Sequence, residues 1–346
     1  MRYIGCKAKL LEHIDTAIEQ YAPNAKTVCD VFSGTATVAR HFKEKYRVYS
    51  NDLLYFSYCL QRGTVQNDEK PDFSTLKSIG IGDPIAYFNN MATSEMECLP
   101  QERRLFQNCY APTGNRMYVT DDNALRIDYA RNIIEQWKNS NAISDAEYYY
   151  LIASLIEGIP YVSNIAGTYG AFNKFWDNRS YKTFKLYDIP VITNGKNNRC
   201  FNRDGVELVS KIEGDVLYVD PPYNGRQYLQ NYHVLETAAI YDFPKLSGVT
   251  GQREYEGKRS DFCLKRRVIP AFESLIEKAH FEHIILSYST EGLMTIDNIK
   301  KIMVRHGVKN SFDVIEIPYR RFKSRATKHS GEIKELLIHI QKERTW

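Results

Sequence analysis

No two cysteines of this 346-residue chain are spaced C-x-x-C, and the seven that occur, at 6, 29, 59, 98, 109, 200 and 263, are odd in number and widely scattered. That spacing argues against a zinc site and a disulfide framework, so the expectation is a reduced chain needing no metal. No apolar run approaches the roughly 20 residues of a membrane span, and MRYIGCKAKLL at the start lacks the apolar region of a signal peptide. A cytoplasmic protein with no membrane partner is expected. Internal repeats and low-complexity tracts are also missing, which leaves one enzyme-sized globular unit with an insertion as the best fit to the length.

What is present is ordinary in bulk. Hydrophobic residues make up 43% and charged residues 25%, a globular composition. The net charge of +4 argues only weakly for an acidic partner. Aromatic content is the exception, with 25 Tyr and 16 Phe, which suits either a Tyr-rich core or surfaces that stack on a planar ligand. Basic residues are unevenly placed: PYRRFKSRATKHS, 318–330, holds Arg320, Arg321, Lys323, Arg325 and Lys328 without one acid. Such a run is either a solvated loop or a phosphate-contacting tract.

KTVCDVF (26–32) is a short apolar run suited to a buried strand, and SGTATVARHFK turns at Gly34 into a helical pattern. YRVYSND (46–52) and GDVLYVD (214–220) read as further strands ending in acids, FEHIILSYS (281–289) as a fourth, and 335–340 as a closing strand. SDAEYYYLIASLIEGI, 144–159, reads as a helix. Strands separated by helical stretches predict an α/β fold with a doubly wound, mostly parallel sheet. Strand signals fade between about 61 and 195, so residues 1–60 and 196–346 are assigned to a discontinuous sheet domain and 61–195 to a largely helical insertion.

In such a sheet ligands collect at the carboxyl ends of the strands, here marked by Asp30, Asp52 and Asp220. Gly34 and Ala36 would let the backbone approach a ligand closely. Asp52, 18 residues beyond Gly34, stands where a second-strand carboxylate grips the ribose hydroxyls of an adenosine. Only one glycine occupies the turn, so a dinucleotide is poorly supported. Two plainer readings stay open: a simple strand–helix bend, and Asp52 as a helix cap before LLYFSYCL.

The stretch VDPPYNG, 219–225, places two prolines directly after a buried strand, which ends it in a stiff turn. The Asp220 carboxylate and the Pro221 carbonyl then stand as two fixed acceptors, Pro222 stiffens the turn and Tyr223 offers a flat ring. Two acceptors and a ring suit the exocyclic amine of a base. An amine so held becomes a nucleophile, and the methyl on the sulfonium of S-adenosylmethionine is an electrophile that needs no metal. The remaining reading is a turn with a structural Asp.

Taken together, these stretches resemble the Dam-type, alpha-group N6-adenine DNA methyltransferases, over roughly 1–60 and 200–346. YIGCKAKLL is similar to the family's N-terminal cofactor motif, which implies Tyr3, Gly5 and Lys7 beside the cofactor. DVFSGTATV resembles its glycine turn and implies Asp30, Phe32, Gly34 and Ala36, although the usual F-x-G-x-G is F-S-G-T-A here. SND implies Asp52 at the ribose, FNRDGVELV implies Asp204 at the cofactor adenine, and DPPY implies Asp220 to Tyr223 at the amine. NIAGTYGAF resembles a loop near the target base or DNA, implying Asn164, with a tight loop through Asn164 and Gly167 as the alternative.

The resemblance implies a Rossmann-like methyltransferase whose insertion recognises the target. Its expected reaction is S-adenosylmethionine-dependent methylation of a flipped adenine in double-stranded DNA, in a prokaryotic or phage-type cytoplasm, alone or beside a cognate restriction endonuclease. The alternatives are an RNA adenine or protein amide methyltransferase, or a non-catalytic DNA-binding subunit. Phosphate contacts are expected from Arg320, Arg321, Lys323 and Arg325, with NGKNNR (194–199) as a further candidate. Each cation on a phosphate releases condensed counterions, contributing about 0.9 to the slope of log affinity against log salt. Replacing Arg320 and Arg321 by Gln is therefore expected to weaken duplex binding and flatten that slope by about 2, read in a salt-titrated binding assay.

Overall fold

The computed structural model describes residues 4–254, 257, 259–318 and 334–344. In chain order its strands are β1 (Thr27–Asp30), β2 (Arg47–Asn51), β3 (Arg199–Phe201), β4 (Glu213–Val219), β5 (His280–Ser289), β6 (Asp313–Pro318) and β7 (Lys334–Gln341). They form one sheet in the order β3-β2-β1-β4-β5-β7-β6. β3, β2, β1, β4 and β5 run parallel, and β7 pairs antiparallel with both β5 and β6. The mostly parallel α/β fold expected from the sequence is what is observed. Two strands escaped the sequence reading: β3 has only three residues, and β6 ends at the proline taken as the start of the basic tract.

Strand alternation sorts the apolar residues onto two faces. Val28, Val216, Tyr218 and Ile285 join a core with helices Leu11–Tyr21 and Thr37–Phe42. Cys29, Leu217, Val219 and Ile284 join another with helices Val268–Lys278 and Ile296–His306. Covering both faces explains why every residue of β1 and the last four of β4 are buried.

A third core is helical. It draws together Tyr55–Gln61, Asp121–Asn139, Asp145–Gly158 and Tyr228–Ile240. It therefore takes in a helix that follows the DPPY stretch as well as the 61–195 insertion. Helix Asp145–Gly158 starts at a capping box, where Ser144 Oγ accepts from Glu147 N at 3.3 Å and Glu147 Oε2 accepts from Ser144 N at 2.7 Å.

Two buried charges stitch these helices together. Arg131 donates to the carbonyls of Ala238 and Ala239 at 2.9 and 3.0 Å, at the end of Tyr228–Ile240. Glu236 accepts from the N–H groups of Tyr55 and Phe56 at 3.0 and 2.9 Å, satisfying the start of Tyr55–Gln61 from 180 residues away in sequence. Glu236→Ala strands these two donors in an apolar surrounding, so a loss of about 2–4 kcal/mol is expected. Urea unfolding followed by circular dichroism measures it, with Glu236→Gln falling between the two.

Candidate active site

β1 has β2 on one side and β4 on the other, so the chain leaves the carboxyl ends of β1 and β4 in diverging directions and a crevice opens between them. A cleft of about 950 Å³, counted to its open mouth, lies there. Gly5, Lys7, Asp30, Phe32, Gly34, Asp52, Asp204, Asp220 and Pro222 all line it. Residues predicted from distant parts of the sequence thus converge on one cavity.

The turn after β1 is pinned to the end of β2. Ser33 N donates to Asn51 O at 2.8 Å, and Gly34 N to Asp52 Oδ2 at 2.9 Å. Gly34 sits at φ +52°, which suits a residue without a Cβ. Ala36 also sits at positive φ, +59°, and is fully buried in the core behind the turn instead of lining the cleft. Its departure from the usual glycine therefore strains the backbone by about 1 kcal/mol and leaves the cavity surface untouched.

Asp52 Oδ1 accepts from Leu54 N at 2.9 Å, so Asp52 also serves the start of the following helix, whose next two N–H groups are taken by Glu236. Asp204 is a helix cap, accepting from Val206 N and Glu207 N at 2.9 and 3.2 Å, while also facing the cleft. Asn51, next to Asp52 in the SND stretch, passed unnoticed. Its buried amide donates to Val31 O and Arg203 O, both at 3.0 Å, joining the turn after β1 to the chain after β3.

On the far wall, the Lys7 ammonium lies 3.3 Å from Asp220 Oδ1 and 3.1 Å from Glu335 Oε2, with the lysine only 4% and Asp220 16% exposed. It also stands 5.4 Å from the centre of the Tyr223 ring. Tyr223 is held edge-on against Tyr288 at 6.2 Å, and its carbonyl accepts from Leu293 N at 3.1 Å. Pro221 is buried behind this turn. Gly5, at φ +75°, faces the Tyr228 and Tyr223 hydroxyls, 3.4 and 3.7 Å from where a Cβ would stand. Glu335 was not anticipated; the signal available was an acid entering the apolar run LLIHI.

Electrostatics follow burial. Asp30 is pushed up to about 7, first by burial and further by the charges of Asp220 and Asp52, against a hydrogen bond from Ser33. Asp52 is pushed up to about 6 by burial, against the N–H groups of Leu54 and Gly34. Asp220 rises to about 6 by burial, with Lys7 opposing and Glu335 assisting. Lys7 is held well above the ordinary lysine range: its burial works against the charge, but Asp220 and Glu335 outweigh it. Asp30 Oδ1 is buried without a hydrogen-bond partner among the described residues.

Other expectations stand differently. Asn164 is fully buried, and its side chain is spent holding its own loop: it donates to Met117 O and Asn173 O at 3.0 Å and accepts from Asp177 N at 3.0 Å. In this conformation it cannot reach DNA. The 194–199 segment lies at the amino ends of β2 and β3, away from the cleft, where Asn198 Oδ1 accepts from Val48 N at 2.9 Å. Tyr3, Arg320, Arg321, Lys323 and Arg325 lie outside the described residues. Sequence reasoning also passed over Phe175 and Tyr181, 85% and 66% exposed in the loop that Asn164 anchors.

Residues 3–302 match the family model of the D12 class N6 adenine-specific DNA methyltransferase. The chain is 44% identical over 346 residues to the Type II methyltransferase M.FokI of Planomicrobium okeanokoites, covering 99% of this chain and 53% of that protein. It is 40% identical over 343 residues to the modification methylase StsI of Streptococcus sanguinis, covering 99% and 52%. With the Type II methyltransferase M.NlaIII of Neisseria lactamica the identity is 37% over 334 residues, covering 95% and 94%. The chain thus spans about half the length of the first two relatives and nearly all of the third.

An acid whose folded value is raised binds its proton more tightly when folded, so its contribution to stability is lost as pH rises through the window between the two values. For Asp30 that window runs from the ordinary 3.8 to about 7. Asp30→Asn is therefore expected to stabilise the ligand-free protein at pH above about 7, with the advantage vanishing as pH falls towards 4. Urea midpoints measured across that range test it.

Proposed function

The chain belongs to the D12 class of N6 adenine-specific DNA methyltransferases, and on that premise we propose that it methylates the N6 amine of an adenine flipped from duplex DNA, using S-adenosylmethionine. The observation that carries this reading is the Asp220 carboxylate, which opens on the same cleft as Asp30, Asp52 and the Gly34 turn. An amine-holding acceptor and a nucleoside-holding wall share one cavity. The proposed setting is a prokaryotic or phage-type cytoplasm, as a solitary methylase or beside a cognate restriction endonuclease. Among the described residues no helix is long and apolar enough to cross a membrane.

S-adenosylmethionine, when bound, supplies a methyl on a positively charged sulfur. Asp52 and Asp204 suit its ribose and adenine ends, and Asp30, which also lines the cleft, adds an acidic group suited to a cation. Asp220 would accept hydrogens of the target amine, raising the electron density on its nitrogen. Methylation of the amine would release one of its protons, and Asp220 is placed to take it. A carboxylate raised to about 6 is still ionised near pH 8 and takes up that proton more readily than an ordinary aspartate. Tyr223 offers its ring to the base, and preorganisation of fixed acceptors would supply much of the rate.

Flipping the base costs on the order of a few kcal/mol, which contacts to the duplex must offset. Tyr169 N donates to Asn231 O at 2.7 Å, so the 164–181 loop rests on helix Tyr228–Ile240, whose first turn lines the cleft. Exposed Phe175 and Tyr181, with exposed Lys174 and Lys182 beside them, give that loop an aromatic and basic surface. Such a surface suits DNA better than a neutral partner.

Incubation with S-adenosylmethionine and unmethylated genomic DNA, followed by single-molecule sequencing, is expected to show N6-methyladenine in one fixed context. Asp220→Ala is expected to abolish that signal while leaving cofactor affinity and the thermal unfolding curve close to the parent's. Near-normal turnover in the variant would remove Asp220 from the reaction. Modification of RNA or of a protein amide, with none of DNA, would redirect the reading to those substrates.

A further inference from the structure

Glu335 belongs to none of the stretches that point to the chemistry, yet it is buried against the reacting end of the cleft. It enters β7 opposite Ser289 of β5, on the antiparallel side of the sheet. Antiparallel pairing brings the start of β7 to the same edge as the carboxyl ends of β4 and β5. There its carboxylate takes a hydrogen bond from Lys7 at 3.1 Å, while the same ammonium stands 3.3 Å from Asp220. One cation is thus shared between the buried Glu335 and the largely buried Asp220.

This sharing has a chemical consequence. A lysine facing Asp220 alone would form a tight one-to-one pair, and the aspartate's electron density would be drawn onto the ammonium. Such an aspartate is a poorer acceptor for an amine. A second anion on the far side of the ammonium draws the cation partly away and leaves the triad with a surplus negative charge, because two carboxylates face one lysine. We propose that Glu335 is a positioning residue for methyl transfer, dividing the Lys7 ammonium so that Asp220 remains free to accept hydrogens from the target amine.

This inference rests on the reading of Asp220 as the amine's acceptor. It does not place Glu335 in contact with the substrate. The other groups facing Asp220 and its ion pair are Asp30 on β1, Tyr218 on β4, Tyr223 after β4 and Tyr228 on the following helix. Asp30 is the other carboxylate among them, and it lies on the opposite side of the β1–β4 crevice from β7. Lys7 and Glu335 are the two charges that act most directly on Asp220.

The test is the pH profile of kcat under saturating cofactor and DNA, for the parent, Glu335→Gln and Glu335→Asp in the full chain. Glu335→Gln removes the charge that lifts Asp220, so the acid limb of the profile should move to lower pH. Its plateau should fall by about 10- to 100-fold, the scale of a misplaced reacting group. Cofactor affinity should stay close to the parent's. A merely structural role would change stability and the amount of active protein without moving the limb.

Glu335→Asp keeps the charge but withdraws it by one methylene, and should give an intermediate plateau with a smaller shift. It also carries the test if Glu335→Gln does not fold. An active parent whose variants keep the same plateau and acid limb would overturn the inference and leave the proposed function standing. A parent that methylates no adenine substrate would overturn both.

Discussion

The ammonium of Lys7 is the contact on which the arrangement of the cleft depends. It joins the N-terminal arm to the end of β4 and the start of β7, and its hydrogen bond to Glu335 closes a loop of 328 residues. Burying three charged groups costs several kcal/mol of desolvation per ion, and their mutual attraction only roughly recovers it. The triad is therefore better understood as a device for placing Asp220 than as a source of stability. Removing Lys7 would leave two uncompensated carboxylates in the wall of the cleft, whereas removing either acid leaves a neutral pair.

Stability comes from elsewhere. The two faces of the sheet bury the alternating residues of β1, β4 and β5 against four helices, while the helical core uses Arg131 and Glu236 to satisfy helix ends that water does not reach. Glu236 also bears on the cleft, because its charge adds to the raised value of Asp52. The same helix carries Tyr228 into the cleft and Tyr232 to the N-terminal arm, where the Tyr232 hydroxyl accepts from Ile4 N at 2.7 Å. Helical core and sheet thus share one structural member at the site.

Among the described residues the cleft holds more acids than cations. Asp30, Asp52, Asp204 and Asp220 line it, against Lys7 and Arg203. Desolvation holds three of these acids above the ordinary aspartate value, so the ligand-free cleft lowers its charge by binding protons as pH falls from about 7 through about 6. Such a wall favours a cationic ligand, which would restore the ionised state of the acids as it bound. That preference is consistent with the sulfonium donor proposed above.

How much of this was legible in the sequence depended on range. The strands near 26–32, 46–52, 214–220 and 281–289 were readable because a strand buried on both faces must be a short apolar run. Their terminal acids marked the carboxyl edge, and DPPY advertised its own stiff turn. Those features are local, so the sequence by itself determined the fold class, the turn residues and the acids at the strand ends that face the cleft. It did not show that Ala36 lies behind the turn, that Asn164 is consumed by its own loop, or that 194–199 sits at the wrong end of the sheet. Nor did it reveal Glu236, Asn51 or Glu335. Each of these depends on a partner brought near by strand register or helix packing, often more than a hundred residues away. Hydrophobic periodicity records which face a residue buries, while the identity of the group it meets there is decided only when the chain closes on itself.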